Sequence, residues 1–167
     1  SVNSWSESAS QRLGRSKFDF LDTASGIGVL AGSLGVAGAE LEKISTTLAE
    51  RAVDIGSLYN VEDEQAINAI TSALTGEGEA IKRFGVVLNE SAYEAEYFAM
   101  GIKGGAKEAT EAQKVIARYN IIMKGSAIAA GDATNTADGY ANSVKRLQGE
   151  IYDLQVQMGR ELLPIMR

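Results

Sequence analysis

Residues 57–91, SLYNVEDEQAINAITSALTGEGEAIKRFGVVLNES, decide the fold, because nearly every position among them has a backbone or packing role. Ala66, Ile67, Ile70, Ala73 and Leu74 recur at three-and-four spacing, which predicts a helix over residues 63–74 with one apolar face. Gly76 stands where that helix must stop. Gly78, Ala80, Ile81 and Phe84 predict a second, two-turn amphipathic piece that ends at Gly85, the residue type best suited to a left-handed C-terminal position. Asn89 can then cap the next helix with its side-chain oxygen.

Composition extends this helical reading to the whole chain. With 167 residues, 45% of them hydrophobic, the protein can bury a real core in one domain or at most two. Helix formers are spread throughout with little β-branched alternation, and the one proline is Pro164. The expected class is all-α, a compact domain of about six to eight helices with a long C-terminal amphipathic helix. Its expected organisation is a short leading helix within residues 1–15, a helical core module over 16–135, and an amphipathic heptad helix over 136–167 packed on that core. The net charge of −6 and the lack of any Lys/Arg stripe argue against a nucleic-acid footprint.

Upstream of the deciding stretch, Trp5 to Leu13 reads as a short helix stopped by Gly14, with Ser16 and Asp19 placed to cap and charge the start of the next one. The run TASGIGVLAGSLGVAGA over residues 23–39 has no charge, and its Gly28 and Gly32 form a GxxxG pair. It is shorter than the ~20 strongly apolar residues a bilayer requires and is diluted by Gly, Ser and Thr. A buried helix over 18–34, whose small residues admit a close neighbour, is therefore expected rather than membrane contact. From 39 to 59, Leu41, Ile44, Leu48, Ala52, Ile55 and Leu58 share one face and predict a principal core helix. Glu62, Asp63 and Glu64 open the following helix, where acids favour the positive end of its dipole; Glu62 itself is a poor cap.

Downstream of Asn89, Tyr93, Tyr97, Phe98 and Met100 make an aromatic cluster at helical spacing, expected to pack in the core. The loop GIKGGAK lacks the Gly-Lys-Ser/Thr ending that would hold phosphate and magnesium. Thr110 and Gln113 form a capping box for a helix carrying Val115, Ile116, Tyr119, Ile122 and Met123, which frays into a Gly/Ala/Thr-rich joint over 126–135. Finally, Tyr140, Val144, Leu147, Ile151, Leu154, Met158 and Leu162 step by four, three, four, three, four and four, a heptad seam with a slight drift at its end, stopped by Pro164. Such a seam needs a partner, either the rest of this domain or another chain.

Two segments resemble the tail tape measure proteins of long-tailed phages and prophages. One is carried by Asn60, Val61, Asp63, Glu64, Ala66, Asn68, Ala69, residues 72–77, Glu79, residues 81–86 and residues 88–90; the other by ANSVKRLQGEIYDLQVQMGRELLP over 141–164. Gly131 and Asp132 between them match a Gly-Asp pair at the same place in that family. The resemblance covers about residues 16–164 and implies a structural virion protein. In that family the long chain lies in the lumen of the tail tube, sets tail length during assembly in the bacterial host cytoplasm, and leaves ahead of the DNA during injection. The implied partners are the tail tube protein, the tail assembly chaperone and the tail tip proteins; the heptad seam itself, through Tyr140, Val144, Leu147, Ile151, Leu154 and Met158, admits self-association or another tail protein. A helical adaptor or chaperone-binding module and a membrane-active segment over 23–39 are the alternative readings.

Catalysis is not expected. The absence of Cys and His removes thiol and imidazole nucleophile pairs, the usual zinc-hydroxide hydrolases and histidine proton shuttles. Glu77 and Glu79 are the carboxylate pair one could propose for glycoside hydrolysis, but their Gly-rich turn offers little to separate their pKa values. No catalytic, cofactor-binding or metal-binding residue is assigned.

Overall fold

A computed structural model describes residues 2–163. It is all-helical: α1 (Val2–Leu13), α2 (Lys17–Ser33), α3 (Gly38–Leu58), α4 (Asp63–Thr75), α5 (Glu90–Ala99), α6 (Glu111–Gly125), α7 (Asp132–Asn135) and α8 (Tyr140–Leu162). Single 3-10 turns intervene at Lys82–Phe84, Gly105–Lys107 and Ala127–Ala129. The expected stop at Pro164 lies outside the described residues, as does the side chain of Leu162.

The helix ends follow local chemistry. Ser16 accepts from the amides of Phe18 and Asp19, and Asn89 accepts from the amide of Ala92. Thr110 and Gln113 form a reciprocal capping box. Gly76 ends α4 in the left-handed region at φ 103°, and Gly85 does the same for the 3-10 turn before it at φ 82°. Glu62 makes no side-chain cap. The piece before Gly85 is one 3-10 turn rather than two α-helical turns. Gly76 and Gly78 leave the chain no hydrogen-bonded run long enough to propagate a helix before Lys82.

The main core lies between α2, α3, α4 and α6, where Ile44, Leu48, Ala52, Ile55, Ile70, Leu74 and Ile122 are fully buried. Ile81, Phe84 and Val86 fold back into it, with Phe84 edge-on to Tyr59 at 5.2 Å. A second cluster joins Ala9 and Leu13 of α1 to Phe20, Ala24, Ala49, Val53 and Ala133, with Trp5 packed against it. Burial of this kind is worth roughly 1.5–3 kcal/mol for each Leu, Ile or Phe, so α3, which lines both clusters, is the organising helix.

Three further expectations change. Gly28 and Gly32 do face α3, near Ser45 and Leu41, but a methyl at either would sit at an ordinary 3.8 Å, so the GxxxG pair is not what permits the approach. Tyr97 is buried and stacks on Tyr93 at 6.2 Å, whereas Phe98 points outward at 87% exposure and does not join the core. The stretch 126–135 does not fray. Ser126 is fully buried and its carbonyl accepts from Arg51, while Asp54 of α3 accepts from the amides of Gly131 (2.8 Å) and Ala133 (3.2 Å), so backbone donors at the start of α7 are satisfied by a buried carboxylate.

Candidate functional site

The outer face of α8 and the polar contacts that orient it form the most distinctive surface of the molecule. The docking begins at the turn after α3. Asn60 adopts φ 51°, a left-handed conformation that asparagine tolerates, and the Val61 amide returns to the Gly56 carbonyl at 3.0 Å. Gly56 leaves room for the Asp63 carboxylate, which a Cβ there would overlap. Asp63 is thereby set between two cations from distant parts of the chain. Arg15 Nε lies 2.5 Å from Oδ2 and Lys145 Nζ lies 2.9 Å from Oδ1.

Arg15 is buried, and its guanidinium also donates to the carbonyls of Leu13 and Gly14 and to Asn142 Oδ1 at 3.0 Å. Asn142, itself buried, donates onward to Ser57 Oγ and to the Thr136 hydroxyl, each at 2.9 Å. Lys145 donates to the Val61 carbonyl at 2.7 Å and Arg146 to the Ala137 carbonyl at 3.0 Å. One turn further on, Gly149 is buried and passes so close to the α1–α2 junction that a Cβ would stand 2.7 Å from the Ser16 amide nitrogen. Ser16 does two tasks there: its hydroxyl caps α2 and donates to Asp153 of α8. Nearer the end of α8, the Arg160 guanidinium lies 4.8 Å from the centre of the Phe18 ring.

Asn142, Lys145, Arg146, Gly149, Asp153 and Val156 are the described α8 residues with reduced exposure. At about 100° per residue they form one stripe, diametrically opposite the heptad seam. The seam consequently faces solvent: Tyr140 is 87% exposed, Leu147 58%, Ile151 48%, Leu154 57% and Met158 54%, and the most covered member, Val144, is 37% exposed. The long helix docks through its polar face, on the α1–α2 junction and the turn after α3. A partner for the seam within this domain is thus ruled out among the described residues.

The other candidate positions offer less. Glu77 and Glu79 are both exposed, and Glu79 is paired with Lys82 at 2.5 Å. Of the acidic trio 62–64, Asp63 serves the polar network, a role that helix-dipole reasoning missed. No group of three or more metal-ligating side chains is gathered among the described residues, and none of their helices is long and apolar enough to cross a membrane. A cleft of about 520 Å³ between α2, α3 and α4 is lined in part by Arg15, Asp19, Phe20, Asp22 and Asp63. Partial burial, followed by the nearby charges of Asp153, Asp63 and Asp22, pushes the Asp19 carboxyl above the usual carboxylate range. The guanidinium at this cleft is already held by Asp63, Asn142 and two carbonyls.

Two signals in the sequence mark this docking. Glycine inside a helix costs about 1 kcal/mol relative to alanine, so Gly149 in mid-helix points to a close backbone approach. Asn142, a weak helix former opposite an apolar seam, is the second. No known protein family, curated protein or solved structure is matched by this chain.

Proposed function

We propose that this chain is a non-catalytic assembly module of a phage or prophage tail tape measure protein, and that it meets its partners through the outer face of α8. The observation that carries the reading is the orientation of α8. A helix tied down by a polar network on one side holds a row of six large apolar side chains in solvent on the other, and such a row is a docking surface or a liability. The two resembling segments, in order along the chain, supply the tail assignment. In that setting the module would sit within the tail tube among the tube, chaperone and tip proteins and help set tail length.

A tape measure acts through extended length, and 167 residues in one continuous helix would span about 250 Å. With its described residues folded into eight packed helices, the chain contributes far less distance, so the proposal casts this region as a docking module rather than ruler. Deleting residues 1–167 from the full-length protein should either stop tail assembly or shorten tails by much less than that helical length, as measured by electron microscopy. Tails shortened by the full helical length, or tails of unchanged length and infectivity, would overturn the proposal.

A further inference from the structure

We infer that the free seam of α8 takes the same helix of a second copy of this chain, the two running parallel and in register as a two-stranded coiled coil. This rests on α8 being the assembly surface and not on the tail assignment. The four-three stepping assigns Val144, Ile151 and Met158 to the a positions of a heptad and Tyr140, Leu147 and Leu154 to the d positions. β-Branched residues at a with leucine at d are the combination that favours two parallel strands, because their side chains fit the differently oriented holes of the two layers.

The flanking positions point the same way. Ala141, Gln148 and Gln155 fall at e, and Ser143, Glu150 and Gln157 at g, so Glu150 is the sole charge beside the seam among them. In a parallel pair, g meets the e position of the partner's next heptad, and Glu150 would face Gln155 of the second copy. In an antiparallel pair with the same apolar layers matched, Glu150 would face Glu150 of the second copy, a like-charge contact. The docking of α8 on its own domain also fits. That contact uses Asn142, Gly149 and Val156, the f positions, which in a two-stranded coiled coil point away from the partner. Both domains therefore remain in place on opposite outer sides of the pair, and nothing has to open before the second copy binds.

The experiment is sedimentation equilibrium on the intact chain, with single cysteines introduced into a sequence that has none. The parent should reach the mass of two copies, and Ile151→Asp should return it to one copy with unchanged circular dichroism, since that side chain is already exposed in the single domain. Leu154→Cys alone should cross-link to itself on oxidation, and Gln155→Lys should tighten the association several-fold at low salt by meeting Glu150 of the second copy. A mass of one copy at high concentration, or of three, would overturn the inference. Cross-linking that required Val144→Cys mixed with Leu154→Cys would overturn the parallel orientation. A single copy that is nonetheless captured by the tail tube protein through the seam would overturn the pair while leaving the proposed function standing.

Discussion

Helices α3 and α8 are nearly equal in length, at 21 and 23 residues, and each carries an apolar stripe, yet the fold uses them in opposite senses. In α3 the stripe goes inward: Ile44, Leu48, Ala52 and Ile55 are completely buried. In α8 the polar face goes inward and the stripe is left in water. The difference teaches that an apolar stripe states that a helix needs a partner, not which partner it has. Close polar complementarity, built here on Arg15, Asp63, Asn142 and Gly149, can decide which face docks. It also implies unequal strength. Each net hydrogen bond contributes about 0.5–1.5 kcal/mol, less than a buried leucine, so α8 should detach from the domain before α3 loses its core.

The largest effect is expected where the apolar stripe is buried. Leu48→Ala should cost about 2–5 kcal/mol in chemical denaturation, because no neighbour can collapse fully into the space it leaves. If that variant proved neutral, α3 would not be the organising helix.

The next effects probe the polar face. Asp63→Asn removes the charge that faces Arg15 and Lys145 and should cost about 1–3 kcal/mol, leaving a buried guanidinium with an uncompensated charge. Gly149→Ala should cost a similar or slightly smaller amount, about 1–3 kcal/mol, by forcing α8 away from Ser16. In both variants amide hydrogen exchange should accelerate in α8 while the amides of α3 stay protected. Uniform acceleration throughout the chain would mean that α8 and the core form one cooperative unit, and the contrast between the helices would fail.

A smaller effect follows from the carboxylate that anchors α7. Burial pushes Asp54 above the ordinary aspartate value, and the amides of Gly131 and Ala133, with Arg51, only partly offset it. The folded state therefore holds that proton more tightly than the unfolded chain. The stability linked to it is fully present below the unfolded value of ~3.9 and is lost as pH rises through the folded one. A carboxyl titration followed by nuclear magnetic resonance should place the Asp54 midpoint above that reference; a midpoint below it would show that the two amide donors outweigh desolvation.

The caps were legible because they are local: Ser16, Asn89 and Thr110 act on amides two or three residues away, and Gly76 and Gly85 act on their own backbone. The stripe of α3 was legible because its period reports burial directly. The heptad of α8 was equally plain, but the face that docks depends on bonds such as Arg15 to Asn142, 127 residues apart, for which no local pattern exists. For the same reason Asp63 read as a helix-start acid when its main partners lie at both ends of the chain; Phe98 read as core as an aromatic beside Tyr97, although one residue on it stands about 100° round the helix from the face shared by Tyr93 and the buried Tyr97.

The measurement that bears most directly on the opposite use of the two stripes is a pair of thermal melts, Ile55→Asp and Ile151→Asp, at a concentration where sedimentation shows single copies. Both place a carboxylate on an apolar stripe. Ile55→Asp should abolish the cooperative transition or lower it severely, because a charge at that fully buried site has no partner. Ile151→Asp should melt within about 0.5 kcal/mol of the parent, as a surface substitution does. Equal, large losses in both variants would show that the α8 stripe is buried within the single domain and that its outward face does not exist.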